Sequence, residues 1–114
     1  MVEPPRSGSE SASLVVSMPG QIDLANAEEV RESLLTALAT GAGVVVADLT
    51  ATDYCDSTGF RTLAAVHRIG AADGRQLRLA VLSAGVVART LTVLELEKLL
   101  HVYPTVSAAL SGPE

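Results

Sequence analysis

The run 43-GVVVADL-49 constrains the fold of this chain more than any other stretch. Its apolar residues are continuous rather than alternating, and it closes on Asp48 and Leu49. A strand of that kind leaves neither face for water and must be buried on both. Just beyond it lies 53-DYCDSTGFRT-62, and then a helical stripe of Phe60, Leu63, Ala64, Val66 and His67 that ends near Gly70. Asp56, Ser57, Thr58 and Gly59 therefore sit where a strand hands over to a helix.

The same alternation runs through the rest of the chain. The segment 14-LVVSM-18 reads as a short strand, and 19-PGQIDL-24 passes through a Pro-Gly break into more extended chain. A helix is expected from 26-NAEE-29, with Asn26 as its cap and Glu29 placed as in a capping box. Ala27, Val30, Leu34 and Leu38 form its apolar stripe, and Gly41 and Gly43 stop it. After a turn at 73-DG-74, 77-LRLAVL-82 reads as a strand. A third helix is expected from Gly85 through Val87, Leu91, Leu94 and Leu99. A short extended piece, 102-VYP-104, precedes a last helix, 106-VSAAL-110, capped by Thr105.

Strands joined by helices of this length are linked as crossovers. The expected architecture is an α/β domain with a small, mixed but mainly parallel central sheet and about four helices. Residues 1–12, MVEPPRSGSESA, are rich in Pro, Ser and Gly and read as a flexible tail. The domain itself is placed at 13–111, and 112–114 is a C-terminal tail.

Composition narrows the function. A chain of 114 residues, 48% apolar, makes one small domain with an ordinary core and no need of a metal or disulfide staple. The net charge of −5, with its few Arg scattered, opposes a nucleic-acid surface, which needs a basic patch. Cys55 is the single cysteine and by itself makes neither a disulfide nor a zinc site. No N-terminal segment pairs basic residues with an apolar stretch, and no apolar run approaches the ~20 residues that span a bilayer. The expectation is a cytoplasmic domain with no membrane contact and no cofactor.

Three readings of the strand–helix junction compete. In the simplest, Asp56 caps the helix by accepting a backbone N–H bond, and nothing more follows. In the second, the small hydroxyl of Ser57 at the tip of the junction is a phosphate acceptor. A phosphoryl group there adds nearly two negative charges, which a helix N-terminus tolerates, and so alters the outer surface without breaking the fold. In the third, Ser57 is a nucleophile, but a serine needs an oriented base. His67 lies some ~15 Å along the same helix, and His101 is remote in sequence. No phosphate-binding loop is present. Asp48, Asp53 and Asp56 offer a metal or aspartyl-phosphate site only weakly, because Asp23 is the lone acid after an early strand and Lys98 falls within a helix. The chain is therefore not expected to be an enzyme. Cys55 reads as a small side chain at a strand end, with redox sensing as the sharper alternative. Arg61 reads equally as a solvated residue or as part of a partner-binding ridge near Ser57.

Three stretches in this order, 20-GQIDLANAEEVRESL-34, 46-VADLTATDYCDSTGFRTL-63 and 74-GRQLRLAVLS-83 with the terminal 102-VYPTVSAAL-110, resemble the STAS-domain anti-sigma-factor antagonists of bacteria. The first is similar to that family's Gly-x-Leu-Asp stretch and the second to its Asp-Ser-Ser-Gly motif after a strand. The resemblance implies a non-enzymatic protein that binds an anti-sigma factor with serine kinase activity, so that a sigma factor is released. It implies that the kinase phosphorylates Ser57 to end binding, and that a PP2C-type phosphatase restores it. It implies partner-facing roles for Asp23 and Asp56 and leaves Thr58 as the weaker acceptor, and Thr58, Gly59 and Arg61 are taken with them as partner-binding residues. A scaffold or transporter-associated STAS role with another partner is the alternative. Cys55 stands where the family has an aliphatic residue, Thr58 replaces the second Ser, and Phe60 replaces a Leu.

Overall fold

The structure, a computed structural model, describes residues 12–112. Nearly all of the expected N-terminal tail and the last two residues of the C-terminal one lie outside the described residues. The elements follow in the order β1 (Ser13–Ser17), β2 (Gln21–Ile22), α1 (Ala27–Ala39), β3 (Val44–Asp48), β4 (Tyr54–Cys55), α2 (Ser57–Ala72), β5 (Gln76–Ala80), α3 (Val86–Val93), β6 (His101–Tyr103) and α4 (Val106–Ser111). A 3-10 turn, Leu96–Lys98, separates α3 from β6.

The main sheet runs β1-β3-β5-β6 in chain order, and each pairing is parallel. Val46 at its centre is opposite Val15 on one side and Arg78 on the other. As the run 44–48 requires, both faces of β3 are covered. Val45 and Ala47 enter the larger core with Leu34 and Leu38 of α1, Leu63 and Val66 of α2, and Val87 and Leu91 of α3. Val46 turns to the opposite face, where it packs with Ala80 and with Ala109 of α4. Three helices thus cover one face and the short α4 the other, which is the layered solution for a parallel sheet.

Arg78 lies on the α4 side of β5 at 2% exposure. A buried cation needs close polar partners. Its Nε donates to the Gln76 side chain at 2.9 Å, and one terminal nitrogen donates to the Ala109 carbonyl at 2.7 Å. The guanidinium also sits 5.5 Å from the centre of the Tyr103 ring. It therefore fastens a helix too short to hold itself.

Two expected details differ. Asn26 does not bond forward into α1. Its Oδ1 accepts from the Asp23 N–H at 2.9 Å and its Nδ2 donates to the Gln21 carbonyl at 2.8 Å, so it braces the preceding turn instead. The third helix does not continue through Leu99. It ends at Val93, and Glu95 takes a left-handed conformation with φ 60° before the 3-10 turn. In an unbroken helix Leu91 and Leu100 would face opposite sides. The break lets both bury in the same core. Thr105 does cap α4, accepting from the Ala108 N–H at 3.0 Å.

Candidate functional site

The junction after β3 is built by a second, two-stranded parallel sheet that pairs β2 with β4. Asp48 starts the approach by accepting from both the N–H and the hydroxyl of Thr50, at 2.9 and 2.6 Å. The Thr52 hydroxyl then donates to the Pro19 carbonyl at 2.7 Å. The N–H groups of Asp53 and Asp56 donate to the carbonyls of Gly20 and Ile22 at 2.9 and 3.0 Å. Residues 53–56 are thereby zipped along 20–22, two segments remote in sequence.

That pairing sets Asp23 and Asp56 side by side at the end of the small sheet, since each directly follows one member of the pair Ile22–Cys55. Asp23 is held in the turn before α1, where its Oδ1 accepts from the Ala25 N–H at 3.0 Å. Asp56 is the N-cap of α2, with extended backbone and its Oδ1 accepting from the Gly59 N–H at 2.9 Å. One orphan donor of the first helical turn is satisfied in this way.

Ser57 is the first residue of α2 and is exposed. No described residue engages its hydroxyl. Thr58 is half-buried. Arg61 is exposed and lies one turn beyond Ser57 on the same helical face, within side-chain reach of it. It takes part in none of the ion pairs among the described residues.

Gly59 is buried rather than presented outward. A Cβ there would lie 2.6 Å from Cys55 Sγ and 2.8 Å from Ile22 Cγ2. The absence of a side chain is what lets α2 press against the small sheet, so Gly59 acts on the site by holding its shape. Cys55 fills the other side of that contact, half-buried against the core, its Sγ 3.7 Å from the Asp56 carbonyl oxygen. Burial pushes the thiol up to about 12, and the Asp56 carboxylate adds to the rise. At neutral pH it is a protonated, small apolar group, the reverse of the lowered pKa that marks a reactive cysteine. The thiol therefore packs as a small apolar side chain would.

The remaining candidate chemistry lies elsewhere. His67 and His101 meet each other with ring centres 5.4 Å apart. Burial, then His101, then Arg68 hold the His67 imidazole below its ordinary value. Among the described residues no three His, Cys, Asp or Glu side chains gather as metal ligands. Sequence reading has 19–24 as extended chain but misses its pairing with 54–55 in the small sheet, where Ile22 is buried between polar neighbours.

Comparison with known proteins adds to this geometry. The model of the STAS domain family matches residues 4–109. The anti-sigma-F factor antagonist RsfB of Mycobacterium tuberculosis is 29% identical over 99 residues, which is 86% of this chain and 79% of that protein. A crystal structure of an anti-sigma factor antagonist from Mycobacterium paratuberculosis superposes with a TM-score of 0.75 at 26% identity, covering 86% of this chain and 83% of that one. The fold alone also recurs in a sulfate transporter family protein from Wolinella succinogenes, with a TM-score of 0.70 at 14% identity over 87% of this chain and 82% of the other.

Proposed function

The chain belongs to the STAS domain family, and from that premise we propose that it is a bacterial anti-sigma-factor antagonist switched by phosphorylation at Ser57. It is a binding module and not an enzyme. Unphosphorylated, it occupies an anti-sigma factor that is also a serine kinase, and the sigma factor held by that protein is released to RNA polymerase. The kinase transfers the γ-phosphoryl group of ATP to the Ser57 oxygen, which loses its proton, and ADP leaves. A PP2C-type phosphatase hydrolyses the ester and restores binding. The work is done in the cytoplasm, and no helix among the described residues is long and apolar enough to cross a membrane.

The observation that carries this reading is the hydroxyl of Ser57, exposed and unengaged by described residues at the head of a capped helix. A kinase can reach it without unfolding anything. The new charge of about −1.5 to −2 falls at a helix N-terminus, where backbone N–H groups favour an anion. The fold tolerates it, while a partner lying flat over Asp23, Asp56 and Ser57 meets a bulkier and more negative surface.

Transcription in vitro tests the reading. A sigma factor is held by its anti-sigma factor in the presence of RNA polymerase, taking each such pair of the source genome in turn. Unmodified protein restores transcription from one of them, and Ser57→Glu does not. Failure to restore any of them contradicts the proposal.

A further inference from the structure

The surface around Ser57 is flanked by aliphatic side chains that the fold does not use. Leu24 follows Asp23 in the turn at the end of the small sheet and is 78% exposed. On the other side stands α3, which packs beside β4. Its inner face is committed, with Val87 and Leu91 buried in the core. Its outer face carries two exposed valines, with Arg89 and Thr90 between them. Val86 and Val93 are 54% and 73% exposed, and being seven apart they lie on one face two turns from each other. Leu82, 52% exposed, extends that line at the head of the helix.

Between this stripe and the approach to the junction runs a groove of about 130 Å³, walled by Thr50, Ala51 and Asp53 on one side and Leu82 and Val86 on the other. It opens just before β4 and so adjoins the Ser57 surface.

We propose that the anti-sigma factor grips this chain through two aliphatic flanks, Leu24 on one side of Ser57 and the Leu82–Val86–Val93 stripe on the other, with one of its own apolar side chains seated in the groove between residues 49–53 and α3. This rests on the functional reading above and assigns the anchors of its interface. The charge distribution selects the occupant. Asp23, Asp53 and Asp56 form an acidic centre between the flanks. A second copy docked by the same face about a two-fold axis would set those acids against their own counterparts. A protein with basic residues opposite the centre and aliphatic residues opposite the flanks fits both. The flanks carry affinity and the centre carries the switch, since a phosphate on Ser57 touches only the centre.

The test is calorimetric titration of the anti-sigma factors of the source genome, purified singly, with wild-type protein, Leu24→Ser, Val86→Ser, Ser57→Glu and Ile69→Ser. Ile69 is a control, 44% exposed but ~18 Å further along α2. Leu24→Ser and Val86→Ser each weaken binding about tenfold or more, as loss of an anchor does, while Ile69→Ser stays within about twofold of wild type. The thermal midpoints remain together because all of these side chains face solvent. Val86→Ser and Ser57→Glu combine multiplicatively, as separated sites do. If Ser57→Glu weakens binding but Leu24→Ser and Val86→Ser do not, or if Ile69→Ser costs as much, the anchors are wrong while the switch stands. If no anti-sigma factor binds wild-type protein, both fall. A wild-type dimer lost in Val86→Ser, with partner affinity unchanged, gives the stripe to self-association and overturns the proposal.

Discussion

Gly59 shows how a residue with no side chain can decide the geometry of a site. Cys55 Sγ and Ile22 Cγ2 stand where its Cβ would be, and neither is the loose end of a flexible chain. Gly59→Ala must push α2 away from the small sheet or tilt Ile22 and Cys55 out of register. Overpacking of this kind costs about 1–3 kcal/mol, which urea denaturation reads directly. Stability equal to wild type would show that the junction has slack the distances deny. Asp56 works by the opposite means. Its carboxylate reaches the Gly59 N–H, so cap and glycine fix the same turn from two sides. Ser57 is left as the residue of the turn that gives nothing to the fold. That division was partly legible in the sequence. Asp followed by small hydroxyl residues at a strand–helix junction announces a cap. Nothing local announces that Gly59 faces inward, because one of the two side chains that crowd it comes from Ile22, far back in the chain.

Among the elements, the longest were the most legible. The stripes of α1 and α2 and the unbroken apolar run of β3 each carry several residues of one period, and the structure has them where the pattern puts them. The two-residue strands β2 and β4 are too short to show any period. They form because backbone groups brought together by the main fold must find partners. The end of α3 was hidden for another reason. Leu94 and Leu99 fit a helical spacing locally, but burial of Leu100 with Leu91 is a tertiary demand, and it is met by turning Glu95 left-handed.

Element α4 depends on the rest of the molecule in the same way. At six residues it is held by the Arg78 bond to the Ala109 carbonyl and by its own threonine cap. Arg78→Met keeps much of the volume and removes the clamp. Hydrogen bonds to charged groups are worth about 1.5–3 kcal/mol, so the variant loses stability on that order. Its amide exchange quickens selectively in 106–111 while β3 stays protected. Unchanged protection in α4 would show that Arg78 does not hold it.

At the scale of the whole molecule, the design separates stability from signalling. The core lies between the sheet and α1, α2 and α3, with a smaller one under α4. The candidate switch lies outside both, on a helix tip fixed by the small sheet. The protein carries −5, and a phosphate moves it to about −7 at neutral pH without touching a buried contact. The order of strands and helices was readable because each crossover is written as one apolar run after another. That Asp23 shares a surface with Asp56 was readable from the sequence and from the family resemblance, but the backbone pairing of 21–22 with 54–55 that sets them there was not, since pairing across some thirty residues leaves no local pattern.

The central claim is that Ser57 is the charge switch. Its most direct test is to incubate the protein with its anti-sigma factor and ATP, map the phosphate by peptide mass spectrometry, and weigh binding before and after. One phosphate is expected, on Ser57, absent in Ser57→Ala, with release of the partner and a thermal midpoint nearly unchanged. Stoichiometric phosphate on Thr58 or any other residue of Ser57→Ala, or a phosphorylated protein that binds as tightly as before, would contradict it.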